Sequence, residues 1–316
     1  MNDEQTRSEA ERYVHTDRAA LDELTYAASQ QEARVTASGS VSGYRPGRTL
    51  RLGVELKRQL RRRRTQLMLG FMLLLPIILV VAFEIGEQNG RNRSGGFVDL
   101  ATFSAPNFAV FALFVSGGFL LPMVAALFFG DTIASEASWS SLKYLLAIPV
   151  PRDRLLRQKA VASGLLALLA LVLLPAMSLL IGSLWYGTGE AVSPTGDAVP
   201  FGESLVAIAL AVAYIAVQLL WVAGLALLLS VCTDTPLGAV GGAVLAAILS
   251  QILDQITALG GLRNFLPTHY SFAWSDLIAT DIDWSSMASG TLSAICYGTV
   301  FFLLAARRFA TKDITS

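Results

Sequence analysis

Residues 65–83 read TQLMLGFMLLLPIILVVAF, a run without a single charged side chain. Its length matches an α-helix crossing a hydrocarbon core about 30 Å thick, which takes about 20 residues at about 1.5 Å each. The run is apolar on every face, so a helix with one side in water is excluded. It lacks the polar–apolar alternation of a transmembrane β-strand. Pro76 is no objection, because membrane helices tolerate proline when neighbouring groups satisfy the freed backbone.

Five further uncharged runs follow, at residues 100–130, 160–189, 204–233, 235–253 and 285–306. The second, third and fourth exceed a minimal span, so their ends are expected to include interfacial or loop residues. Only Asp234 and the Thr235-Pro236 turn separate the fourth from the fifth. Composition agrees: 53% of the 316 residues are hydrophobic and 15% are charged, against about 25% charged in soluble proteins. The predicted fold class is an all-α integral membrane protein with six transmembrane helices over 65–306.

Lysine and arginine counts give an orientation. Nine lie between Arg45 and Arg64, five between Gly130 and Lys159, and three after Ala306. Only Arg91, Arg93 and Arg263 lie on the other side. A cytoplasmic basic side puts both termini in the cytosol, and the absence of a basic start followed by a short apolar run and a cleavage site agrees. The formal net charge of zero gives no reason to expect a nucleic-acid partner.

Residues 1–44 hold eight acidic and four basic residues with few aromatics, and are expected to be a disordered cytoplasmic tail. Within 45–64, Leu52, Leu56 and Leu60 form one stripe flanked by arginines and lysines. That pattern predicts an amphipathic helix lying in the cytoplasmic interface, its basic groups near anionic lipid headgroups. Residues 307–316 form a short C-terminal tail. Cys232 and Cys296 are read as small packing residues.

Several segments are candidates for function. In the loop 130–159, Trp139, Leu142 and Leu146 share a helical face, and Pro149 and Pro151 force a stop. A short amphipathic helix followed by a rigid basic turn fits a groove on a cytoplasmic partner. An interfacial helix with positive-inside charge explains the same residues. Gln218, deep in the fourth span, and Gln251 and Asp254 at the end of the fifth are candidates to line a substrate path. The alternative is a helix–helix hydrogen bond for Gln218 and a plain interfacial helix end for the other two. Gly238 and Gly242 offer a small-residue face for helix packing or a dimer seam. Residues 257–284, rich in Phe, Tyr and Trp, are expected as a short helical hairpin at the outer interface, with His269 in a hydrogen bond there. No phosphate-binding loop exists, since the chain contains no Gly-Lys dipeptide, and neither metal-ligand spacing nor a nucleophile–base pair occurs within a span.

The loop also resembles a family. Glu136, Leu142-Lys143, Leu145-Leu146, Pro149-Val150, Arg152, Leu155-Leu156 and Lys159 match the pattern of permeases of ABC-2 type transporters. Arg307-Arg308-Phe309 and Lys312-Asp313-Ile314 are similar to the end of many bacterial members. The resemblance covers residues from about 46 to 316 and implies the type V exporter-like architecture. It further implies a multi-pass subunit of the bacterial inner membrane that pairs with a second copy or a related permease and binds two separate ATPase subunits. Glu136, Trp139, Leu142, Lys143, Pro149, Arg152 and Lys159 would form the ATPase-coupling loop. ATP and magnesium would be bound by the partner, with no cofactor on this chain. A secondary transporter driven by an ion gradient, or a membrane scaffold, remains the alternative reading of the residues.

Overall fold

The computed structural model describes residues 52–88, 97–138, 151–193, 196–278 and 282–311. Its ten α-helices among these residues are α1 (Leu52–Leu60), α2 (Arg63–Gln88), α3 (Phe97–Ala101), α4 (Ala105–Gly117) and α5 (Leu120–Ser138), then α6 (Arg152–Trp185), α7 (Phe201–Gln218), α8 (Leu220–Cys232), α9 (Pro236–Asp254) and α10 (Trp284–Ala310). Helices dominate because a backbone in hydrocarbon must satisfy its own N–H and C=O groups. Six segments are long and apolar enough to cross a membrane: α2, α5, α6, α7 with α8, α9 and α10. The six-span reading therefore holds.

Boundaries differ from the uncharged runs, most of all at residues 100–130. That stretch is divided into α3, α4 and the start of α5. α3 stops at Ala101 and, after a turn, Ser104 starts the next helix: its side chain accepts a hydrogen bond from the Asn107 amide, and Pro106 sits in the first turn of α4. A turn at Gly118 and Phe119 then precedes α5. None of these breaks carries a charge, so a reading by charge passes over them. At its other end α5 continues past Gly130 to Ser138, and α6 begins at Arg152 instead of residue 160. Within the expected loop 130–159, both flanks are therefore helical.

α5 is the central helix. Its apolar stretch is 72% buried, against 17% for α2 and 22% for α9 and α10. It packs on α8, α9 and α6, while α8 lies against α10 and α6 carries α1, α2 and α4. Glycines allow the closest approaches. A Cβ added at Gly130 would lie 2.9 Å from Val240 Cγ2 on α9, and one at Gly224 would lie 2.9 Å from the Gly298 carbonyl oxygen on α10. The apolar sides of α2, α9 and α10, including Leu67, Leu74, Leu245, Leu249, Leu292 and Leu303, stay exposed, as expected for surfaces facing hydrocarbon.

The buried stripe of α9 is Ala239, Ala243, Ala247 and Ser250. Gly242 packs inside the chain, where its Cβ would meet Leu229 Cδ1 of α8 at 2.9 Å, and Gly238 is exposed with only Thr235 Oγ1 near it. The aromatic element between α9 and α10, expected as a short helical hairpin, is helical of the 3-10 kind. It consists of two 3-10 segments, Thr257–Phe265 and Ala273–Ile278, with Gly260 at φ 49°. Trp274 there is a core residue at 1% exposure. A two-residue antiparallel pair, Ala191–Val192 with Ala198–Val199, closes the connection between α6 and α7. Cys232 and Cys296, expected as packing residues, are exposed.

Candidate functional site

The N-terminal helix α1 meets the ends of α5 and α6 through charges. Lys159 of α6 bonds Glu136 of α5, and both are buried, at 2% and 3% exposure. Arg58 of α1 donates to the same Glu136 oxygen at 2.6 Å and to Glu55 at 2.9 Å. Glu55 also faces Lys159 at 3.5 Å and accepts from Gln59 at 3.0 Å. Two cations and two anions from three helices thus share one site. Its buried pair, Glu136 with Lys159, is tolerated out of water because each charge has an opposite partner and hydrogen bonds.

A second knot sits one turn away. Asp131 of α5 receives Arg62 at 2.9 Å and Arg64 at 2.8 Å, one on each carboxylate oxygen. Arg62 also reaches Ser135 Oγ at 3.4 Å. Arg58, Arg62, Arg63, Arg64, Asp131, Ser135 and Glu136 line an open depression of about 590 Å³. Below it, Thr132 and Ser163 share a hydrogen bond of 2.7 Å between α5 and α6, and Ser230 Oγ of α8 accepts from the amides of Ile133 and Ala134. Interhelical hydroxyl bonds of this kind hold helices together where water is scarce.

Electrostatics of the cluster follow from its geometry. Burial works against ionising Glu55, but Lys159, Arg58 and Gln59 outweigh it and hold the carboxyl at about 2. Burial likewise opposes the charge on Arg58, yet Glu55 and Glu136 raise its pKa above the ordinary value. A depressed carboxylate adds stability at pH above its unfolded value and loses it as pH falls through the folded one. The unfolding midpoint of the detergent-solubilised protein is therefore expected to drop as pH falls from about 4.5 towards 2. Glu55→Gln should remove that part of the slope; a pH titration of thermal unfolding on both proteins checks this.

Of the residues expected on the coupling loop, Trp139, Leu142, Lys143 and Pro149 lie outside the described residues. Glu136 and Lys159 are brought together, although buried instead of presented on a surface. Arg152 donates to the Ala310 carbonyl at 2.9 Å and so ties the start of α6 to the end of α10. Glu55 and Asp131 were not singled out from sequence, and Arg58 was read only as one of the basic residues beside the leucine stripe. The available signals were that Glu55 is the one acidic residue among 45–64 and that Asp131 is the first charge after the uncharged run.

The other candidates lie elsewhere. Gln218 is the last residue of α7, before the break at Leu219, and its Nε2 donates to Tyr214 Oη at 2.7 Å. Tyr214 in turn donates to the Tyr270 carbonyl at 2.7 Å. Gly290 of α10 lies against this chain of bonds. Gln251 donates to the Gly118 carbonyl at the turn between α4 and α5. Asp254 holds His269 at 2.5 Å and Arg263 at 3.4 Å. His269 thus makes the local bond expected of it. Gln251 and Asp254 fasten the far end of α9 to its neighbours, and neither lines a described cavity with Gln218. Among the described residues no group of three or more His, Cys, Asp or Glu could hold a metal ion.

Comparison with known proteins gives one family. The model of the family described as ABC-2 family transporter protein matches residues 54–314, which takes in most of α1, all six spans and both charge knots. No curated protein matches the chain. With most of its length matched and six apolar helices suited to crossing a bilayer, this multi-pass membrane protein belongs to the ABC-2 transporter family.

Proposed function

We propose that the chain is the permease subunit of an ATP-binding cassette exporter, driven by separate ATPase subunits. The observation that carries the proposal is the charge cluster of Glu55, Arg58, Glu136 and Lys159, built on the buried Glu136–Lys159 pair. It joins α1 to the two helices, α5 and α6, that lead into residues 139–150. A force applied to that connection reaches the spans only if its two roots are rigidly joined, and opposed buried charges join them without sliding freedom.

In this reading the contacts to the ATPase come from Trp139, Leu142, Lys143 and Pro149, while Glu136 and Lys159 hold the base of α5 and α6 and Arg152 holds α10. Two ATPase copies bind ATP and magnesium, and this chain binds no cofactor itself. A second permease, identical or related, completes the membrane unit through exposed apolar faces such as those of α9, with Gly238 at one end. The basic end is cytoplasmic and the membrane is the bacterial inner membrane. Gln218, at a break within a span, is the strongest candidate for the translocation path. Gln251 and Asp254 are better read as latches of the outer cap.

Co-purification with a candidate ATPase and transport in proteoliposomes test this. Trp139→Ala with Leu142→Ala is expected to abolish stimulation of ATP hydrolysis and substrate efflux while the permease still folds. Parent-like stimulation by that variant would sink the coupling role. Flux that runs on an ion gradient with no ATP would sink the exporter assignment.

A further inference from the structure

We infer that the depression between α1, the start of α2 and α5 binds the phosphate of an anionic phospholipid, at a defined site and not merely through diffuse attraction. Four arginines, 58, 62, 63 and 64, line it against two carboxylates, Asp131 and Glu136. Among the described residues, four positive against two negative leaves an excess of two, which suits a headgroup carrying one or two phosphate charges. Arg62 and Arg64 are already aimed inward by Asp131, so little side-chain freedom is lost when an anion joins them. Arg63 is exposed and has no ion-pair partner among the described residues. Planar guanidinium groups match phosphate oxygens in pairs.

The exposed face of α2 identifies the occupant as a lipid. Leu67, Phe71, Leu74 and Ile78 follow Arg63 and Arg64 at three- and four-residue spacing, and all four are exposed. They form one stripe that rises directly from the arginines. From Arg64 to Ile78 the helix advances about 21 Å, enough for an acyl chain to lie along it when a leaflet's hydrocarbon is about 15 Å deep. A soluble phosphate would use the arginines but gain nothing from the stripe. This inference does not depend on transport or on an ATPase.

The test is lipid binding to the full chain in detergent, followed by native mass spectrometry and thermal shift. Phosphatidylglycerol is expected to bind saturably and raise the unfolding midpoint, while phosphatidylcholine and glycerophosphate do not. Arg63→Gln, which breaks no ion pair, should weaken phosphatidylglycerol binding about fivefold, and Arg63→Gln with Arg64→Gln about twentyfold or more. Arg157→Gln with Arg308→Gln, also exposed but outside the depression, should leave it unchanged. Equal binding of phosphatidylcholine, or equal losses from the control pair, would reduce the site to general surface attraction and overturn the proposal. An equal shift with glycerophosphate would make the ligand a soluble phosphate. If the double variant alters only recovery of a cytosolic ATPase, the depression is a protein-docking surface, and the lipid assignment falls.

Discussion

Lys159→Ala is expected to cost about 3–5 kcal/mol of stability, the usual loss when one partner of a buried ion pair is removed. Glu136 and Glu55 would both lose their buried cation, while Arg58, whose side chain is 44% exposed, would stay beside Glu136. The penalty is mainly that of leaving carboxylates away from water without enough positive charge. A size-matched apolar pair, Glu136→Leu with Lys159→Met, should recover most of that loss, because Glu55 and Arg58 still satisfy each other. Unfolding midpoints of the three proteins in detergent measure this. If Lys159→Ala unfolds like the parent, the cluster contributes nothing to stability. If the apolar pair restores folding but not transport, the charges serve the motion instead of the fold.

Gly290→Ala is the second large effect. A Cβ at that position would lie 2.2 Å from Tyr214 Oη, 2.6 Å from Gln218 Nε2 and 2.6 Å from Tyr270 Cβ. None of these can withdraw alone, because Tyr214 bonds both Gln218 and the Tyr270 carbonyl. Overpacking a tight core costs about 1–3 kcal/mol, and a broken buried hydrogen bond adds about 1–3 kcal/mol more. The sum places this single methyl group on a par with the loss of Lys159. Tyr214→Phe in the Gly290→Ala background removes the atom at 2.2 Å and should return part of the stability. Equal midpoints for Gly290→Ala and its parent would show that α7 and α10 separate readily.

Spans were legible in the sequence because length without charge is what a bilayer demands of a helix, and residues 65–83 carry that signal by themselves. The division of 100–130 was not legible by charge. Ser104 begins a helix by hydrogen bonding and Gly118 ends the same helix at a turn, and neither carries a charge. Glu136 and Lys159 could be picked out because they stand in the loop whose pattern resembles ABC-2 permeases. Their pairing could not, since 22 residues and a change of direction separate them. Glu55 was hidden for a related reason: a lone acid in an arginine-rich stretch looks like a minor correction to its charge. Only the fold puts it beside Lys159. The helix α9 is a milder case. A glycine pair at four-residue spacing drew attention to Gly238 and Gly242, while the alanines one position along make the buried face.

The length of α6 has a mechanical consequence. Its 34 residues make a rod about 51 Å long, some 20 Å more than the hydrocarbon needs. One end carries Lys159 and its counter-charges; at the other, Trp185 donates to Glu84 of α2 at 2.8 Å. Inside, Pro175 removes one backbone bond, and the ion cluster at the Lys159 end serves as the pivot. A tilt of about 5° along the whole rod would displace one tip by about 4 Å relative to the other, close to one helical turn. Motion too small to disturb the ion cluster is thus multiplied by leverage into a shift of the opposite membrane face.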